Sequence, residues 1–164
     1  MNFYAILTAS IVPMFIGFVW YNPKTFGNIW MKEVGMTMED AKGANMVKIF
    51  GFTYLFSLMA ATAISTMVIH QIHVESIFKN IDGFGTPGTE ITNYYDDFMA
   101  RFGDNFRTFK HGAFHGALTS VFFILPIIGT NAMFERRSWK YIFIHVGYWF
   151  VSMIIMGGII SVWK

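Results

Sequence analysis

The distribution of charges constrains this chain more than any other feature, because four long stretches contain no Asp, Glu, Lys or Arg. These stretches cover residues 1–23, 49–74, 111–134 and 141–163, and together they hold 96 of the 164 residues. A helix needs about 20 apolar residues to cross the hydrocarbon core of a bilayer, and each stretch is longer than that. Only 13% of all residues are charged, which is about half the share found in soluble domains. The pattern excludes a soluble enzyme, a disordered chain and a nucleic-acid-binding protein.

The charge-free stretches predict an all-α integral membrane protein with four transmembrane helices. Backbone groups in lipid must find hydrogen-bond partners within their own segment, so a long apolar stretch crosses the membrane as a helix. We predict a single domain over residues 1–164, with short interfacial helices and one long extramembrane insertion over residues 72–110 between the second and third helices. The predicted spans are residues 3–21, 47–69, 111–133 and 140–162.

The long insertion combines a loop with one amphipathic pattern. Residues 82–92 are rich in glycine and are expected to form the loop. After them, aromatic residues recur at intervals of three and four positions, namely Tyr95, Phe98, Phe102, Phe106 and Phe109. This periodicity predicts a helix that lies on the membrane surface before the third span.

The basic residues favour one orientation in the membrane. Positively charged flanks of short connections stay in the cytoplasm. The first and third connections carry seven Lys and Arg residues, and the opposite side carries five. Three of the seven lie within residues 135–140. We therefore expect the two termini and the long insertion to lie on the side of the membrane away from the cytoplasm.

Several short motifs resemble those of a known family. They are Trp20-Tyr21-x-Pro23-x-x-Phe26-Gly27-x-x-Trp30-Met31, Lys42-Gly43-Ala44-Asn45, Pro126 followed by Phe134-Glu135-Arg136-Arg137-Ser138, Gly147-Tyr148, and Met156-Gly157. Together they resemble the bacterial membrane proteins of domain-of-unknown-function family 1761, from about residue 4 to the C-terminus except for the long insertion. The resemblance implies four helices in a bacterial inner membrane, with the termini and the insertion then periplasmic. It implies no established activity.

Histidines are the only ionisable side chains other than tyrosine within the charge-free stretches, and four of them form two pairs. His70 and His73 are three residues apart at the end of the second span, and His111 and His115 are four residues apart at the start of the third. Each pair shares a helical face, and the chain direction brings both pairs to the same membrane surface. Two imidazoles one turn apart are the arrangement in which a helix chelates a transition metal.

The metal interpretation has alternatives. Since the chain has no cysteine, imidazoles would favour zinc, copper or nickel, with oxygen ligands or orienting groups from Glu75, Asp82, Asp96 and Asp97. Interfacial histidines can instead serve as amphipathic anchors. A pH sensor would use the same residues without a metal, because imidazoles titrate in the physiological range.

Two sets of small residues allow close helix packing. Ser57, Ala61 and Ser65 recur every four positions on the second span, and Gly112 and Gly116 form a G-x-x-x-G pair on the third. Small residues let helix backbones approach closely in membranes. The two sets can serve packing within one chain or an interface between subunits.

These features favour a small inner-membrane protein that acts as a structural, accessory or sensing component and forms homo-oligomers or joins a membrane complex. The alternative is a metal-handling or haem-type membrane protein that uses His70, His73, His111 and His115. We expect no enzymatic activity, because Ser57 and Ser65 have no histidine in their membrane layer to activate them. No span holds a carboxylate, which disfavours a proton-coupled transporter.

The charge asymmetry predicts the result of cysteine labelling. In this cysteine-free chain, Thr86→Cys and Ser138→Cys introduced singly should react with an impermeant maleimide from opposite sides of the membrane, with Thr86→Cys reacting in intact cells. Reaction of Thr86→Cys only after permeabilisation would reverse the orientation. Reaction of both from one side would contradict four spans.

Overall fold

The computed structural model describes residues 2–164, and this part of the chain contains helices and no strands. Four helical segments are long and apolar enough to cross a membrane, namely Phe3–Trp20, Met46–Val68, Phe109–Phe134 and Trp139–Val162. Their ends lie within two residues of the spans predicted from the charge pattern. The chain is an all-α membrane protein.

The described residues form the following elements in chain order. They are α1 (Phe3–Trp20), α2 (Gly27–Val34), α3 (Met38–Lys42), α4 (Met46–Val68), α5 (His70–Phe78), α6 (Glu90–Phe102), α7 (Phe109–Thr119), a π-helical turn (Ser120–Ile124), α8 (Leu125–Phe134) and α9 (Trp139–Val162). The third span therefore consists of α7, the π-helical turn and α8. Pro126 directly follows the turn, and a proline removes one backbone donor from a helix.

Each span begins at a residue whose side chain caps the first turn. Side-chain oxygens of four N-cap residues accept hydrogen bonds from backbone N–H groups one turn into the helix: Asn2 from Tyr4, Asn45 from Lys48, Thr108 from His111, and Ser138 from Tyr141. The first four N–H groups of a helix have no partner within it, and each cap satisfies one of them. These polar residues therefore fix where the apolar helices start.

The last span, α9, lies at the centre of the bundle and contacts α1, α4, α7 and α8. Met153, Met156 and Ile160 of α9 pack against α1 and α4 in one buried cluster. The other buried members of the cluster are Ile6, Ala9, Ala61, Ile64, Val68 and Ile69. The other three spans present much of their surface to the outside, so α9 is the element that joins them.

The two sets of small residues lie inside the chain. A Cβ atom added to Gly112 would lie 1.9 Å from the carbonyl oxygen of Gly157, and one added to Gly116 would lie 2.2 Å from that of Met153. The backbones of α7 and α9 therefore touch, with no room for a side chain between them. On α4, Ser57, Ala61 and Ser65 are likewise buried within the chain. The structure thus uses these residues for packing in one subunit.

The end of the long insertion departs from the expected pattern. The amphipathic helix of the long insertion ends at Phe102, instead of continuing through Phe106 and Phe109 to the third span. Its C-cap residue is Gly103, and Phe106 takes a positive φ of 63° that a helix cannot contain. The insertion therefore reaches α7 through a loop over residues 103–108.

The glycine contact predicts opposite effects for two Gly→Ala substitutions. Gly112→Ala should lower the thermal stability of the detergent-solubilised protein, because its methyl group would overlap the α9 backbone. Overpacking of this kind costs about 1–3 kcal/mol. Gly129→Ala is the matched control, since nothing lies within 4 Å of a Cβ there, and alanine in an open helical position stabilises by roughly 0.5–1 kcal/mol. Equal unfolding temperatures for the two variants would contradict the close contact of α7 and α9.

Candidate functional site

Three histidines from two elements meet where α4 ends and α7 begins. His70 is the first residue of α5, and His111 and His115 lie one turn apart on α7. One ring nitrogen of each can be chosen so that the three atoms all lie within 4.8 Å of one another. We call these residues the histidine group. Since 41 residues separate His70 from His111, the group exists only because α4 and α7 are neighbours.

A direct contact between two imidazoles shows how close the group is. The Nε2 atoms of His70 and His111 are 2.9 Å apart, which is a hydrogen bond that requires one donor and one acceptor tautomer. The His115 ring lies edge-on to both, with centroid distances of 5.3 Å to His70 and 4.6 Å to His111. Two nitrogen ligands of a tetrahedral zinc ion are separated by about 3.3 Å at the usual Zn–N bond length. Small side-chain movements would therefore bring all three nitrogens onto one ion.

The start of α5 explains how His70 comes to face α7. Helix α4 ends at Val68, and Ile69 has a non-helical conformation (φ −108°, ψ 87°) before α5 begins. Ile69 is buried, so this break in the helix is held by packing. The chain changes direction at this single residue, and His70 then lies beside His111.

His73 lies outside the histidine group. It is exposed, and its Nε2 atom is 2.7 Å from the carbonyl oxygen of Thr66 in α4. His70 and His73 both lie in α5 and line the same cavity, but the ring of His73 contacts the Thr66 carbonyl and is not among the three imidazoles that approach one another. Of the four predicted metal ligands, the structure brings together His70, His111 and His115 and leaves His73 apart.

The acidic residues of the insertion also lie outside the group. Within residues 2–164, the group of potential metal ligands contains no carboxylate. Glu75 pairs with Lys79 at 3.3 Å, and Asp97 pairs with Arg101 at 3.0 Å. The expected oxygen ligands from Glu75, Asp82, Asp96 and Asp97 are therefore not part of this arrangement.

The loop over residues 103–108 covers one side of the histidine group. Phe106 lies over it, with its ring centroid 5.8 Å from that of His70 and 5.0 Å from that of His111. The side chain of Gln71 donates hydrogen bonds to the carbonyl oxygens of Gly103 and Asn105, at 2.8 and 2.9 Å. The aromatic periodicity assigns Phe106 to an amphipathic helix, and no sequence pattern singles out Gln71, so only the fold reveals that both residues lie beside the histidines.

The end of α9 holds the other side of this loop. Arg107 Nε donates to the carbonyl oxygen of Ser161 at 2.8 Å, and the Ser161 hydroxyl donates to the carbonyl oxygen of Phe106 at 3.2 Å. Partial burial lowers the pKa of the Arg107 guanidinium from its ordinary value, although an arginine stays charged at neutral pH. A cation near the C-terminus of a helix interacts favourably with the helix dipole. The loop is thus tied to both α5 and α9.

Two cavities border His70. The smaller, about 170 Å³, lies towards the insertion and includes Gln71 and Phe102 in its lining. The larger, about 380 Å³, lies along α4 and α7, with Met67, His115 and Thr119 among its lining residues. Three imidazoles leave the fourth position of a tetrahedral ion open to water or a small ligand. The cavities give such a ligand space beside His70.

Comparison with known proteins identifies the family. The model of the family described as "Protein of unknown function (DUF1761)" matches residues 4–161. The chain belongs to this family. No curated protein and no solved structure matches the chain. Membership agrees with the resemblance seen in the sequence motifs, and the family description gives no activity.

The loop geometry of this family member predicts a local effect of Gln71→Ala. Loss of the two hydrogen bonds to Gly103 and Asn105 should make the amide protons of residues 105–108 exchange roughly thirty-fold faster, because each bond contributes about 1 kcal/mol. Exchange in the four spans should not change. Ser76→Ala is the control, since that hydroxyl bonds only the carbonyl of His73 within α5. Unchanged exchange in Gln71→Ala would mean that Gln71 does not hold the loop.

Proposed function

We propose that this protein is a non-enzymatic membrane component that binds one transition-metal ion at His70, His111 and His115, as an accessory or sensing subunit. One observation carries the proposal: three imidazoles from two separate helices lie with ligand atoms within 4.8 Å. Buried or half-buried polar groups gathered in one place need a reason, and a shared metal ion supplies one. Neutral imidazole is the commonest metal ligand in proteins.

The donor set narrows the choice of metal. Nitrogen ligands suit zinc, copper and nickel, whereas magnesium and calcium require oxygen ligands. The histidine group contains nitrogen donors only. Zinc accepts three imidazoles in tetrahedral geometry with an open fourth position, so zinc is the metal to test first.

We propose that the chain lies in a bacterial cytoplasmic (inner) membrane with its termini, its insertion and the histidine group on the periplasmic side. The excess of basic residues on the opposite side supports this orientation. We further propose that it works as a homo-oligomer or within a membrane complex. The exposed α4 residues Phe52, Phe56 and Met59 offer a surface for lipid or for such a partner.

Metal binding is tested by removing ligands in pairs. Wild-type protein, stripped with a chelator and dialysed against zinc, should bind close to one zinc per chain by elemental mass spectrometry. His111→Ala/His115→Ala should lose this zinc, because a single remaining imidazole cannot hold it. The affinity loss should exceed the roughly 10- to 100-fold typical of removing an outer-shell partner. Affinity should also fall at acidic pH, because protonated imidazole cannot bind a metal.

His73→Ala is the matched control for this experiment. It removes a neighbouring histidine that lies outside the group, and it should keep the wild-type zinc content. A wild-type protein without bound zinc, copper or nickel would overturn the proposal. Equal loss in His73→Ala would move the site away from the histidine group.

A further inference from the structure

A further cavity lies at the opposite end of the bundle from the histidine group. It has a volume of about 650 Å³ and lies between the end of α1, the helix α2 and the start of α9. Its walls are mostly apolar and include Trp20, Phe26, Ile29, Phe143 and Ile144. We call it the Trp20 groove. Its volume is in the range of cavities that bind small ligands.

The Trp20 side chain forms a fixed wall of this groove. Its Nε1 atom donates a hydrogen bond of 3.0 Å to the carbonyl oxygen of Ile144. Its ring lies so close to α9 that a Cβ atom on Gly147 would be 2.8 Å from it. On its other side, the Phe26 ring lies 4.5 Å away between centroids. The groove is therefore held open by packed aromatic rings instead of closing on itself.

Two lysines give the groove a positive charge. Lys32 of α2 and Lys140 of α9 both line it, and neither forms an ion pair within residues 2–164. The single acidic lining residue, Glu33, accepts a hydrogen bond from the Ser138 hydroxyl. Two ammonium groups beside one carboxylate leave a net charge of +1 on a mostly apolar cavity.

The groove lies at the depth of a lipid headgroup. It begins where the first span ends at Trp20 and where the last span starts at Trp139. Tryptophan is enriched at the interface between headgroups and hydrocarbon. An occupant there meets an apolar wall on the membrane side and ammonium groups on the water side, which is the division found in a phospholipid.

We propose that the Trp20 groove binds one anionic phospholipid, with an acyl chain along the aromatic wall and the phosphate beside Lys32 and Lys140. Basic sites between transmembrane helices bind anionic headgroups, and lysine binds phosphate as a point charge. A zwitterionic phospholipid fits the apolar wall equally well but carries no net charge to complement the lysines. This site is independent of the metal proposal, because it lies at the other end of the bundle.

Native mass spectrometry of the detergent-solubilised protein tests this assignment. Palmitoyl-oleoyl phosphatidylglycerol should bind as one retained lipid per chain, and palmitoyl-oleoyl phosphatidylcholine should bind far less. Lys32→Gln/Lys140→Gln should weaken phosphatidylglycerol binding about thirty-fold, from the loss of two lysines beside an anionic headgroup. Lys24→Gln/Lys48→Gln is the matched control, since these exposed lysines lie on the same side of the membrane but do not line the groove.

A second variant tests the acyl-chain half of the groove without changing charge. Ile29→Trp should fill the apolar wall and reduce phosphatidylglycerol binding while both lysines remain. Equal binding of the two lipids, equal weakening in Lys24→Gln/Lys48→Gln, or no effect of Ile29→Trp would each overturn the proposal. Competition by inorganic phosphate at the concentration of the lipid would also overturn it, because the site would then bind the anion alone.

Discussion

The structure depends on one close contact, in which the backbones of α7 and α9 touch at Gly112 and Gly157. Each glycine is the nearest neighbour of the other, and a Cβ on either would lie within 2.3 Å of the opposite carbonyl oxygen. In lipid there is no hydrophobic force between apolar helices, so close packing of this kind drives their association. Helix α4 also contacts α9 here, because the Cδ1 atom of Ile64 lies 3.4 Å from where a Cβ atom of Gly157 would be. Three of the four spans therefore meet at one glycine of α9.

This contact also determines the position of the histidines. Successive residues on an α-helix are rotated by about 100°, so Gly112 and Gly116 against α9 leave His111 and His115 on an adjacent face. Helix α4 packs beside that face, because its own small residues bury it against the same bundle. The break at Ile69 then places His70 beside His111. The histidine group thus follows from helix packing, and the polar loop of residues 103–108 closes it from the outside.

The sequence predicts the spans well because their ends carry strong local signals. Asn45 and Ser138 cap α4 and α9, and charged residues stop each apolar stretch near the membrane surface. The family resemblance was confirmed over residues 4–161.

The candidate site was less predictable from the sequence than the spans. Helical periodicity places His73 one turn from His70 in α5, but the contact of His73 with the Thr66 carbonyl depends on the geometry of the junction between α4 and α5, which no local pattern reveals. The sequence also could not show that α4 and α7 are neighbours, since an insertion of about 40 residues does not force two helices together.

X-ray absorption spectroscopy at the zinc edge shows whether the three imidazoles of the histidine group bind one metal ion together. The protein loaded with one equivalent of zinc should show nitrogen ligands at about 2.0–2.1 Å, with the outer-shell scattering of three imidazole rings. His73→Ala should give the same spectrum, because His73 Nε2 faces Thr66. A spectrum with oxygen ligands only, or with one imidazole, would show that the histidine group does not bind the ion.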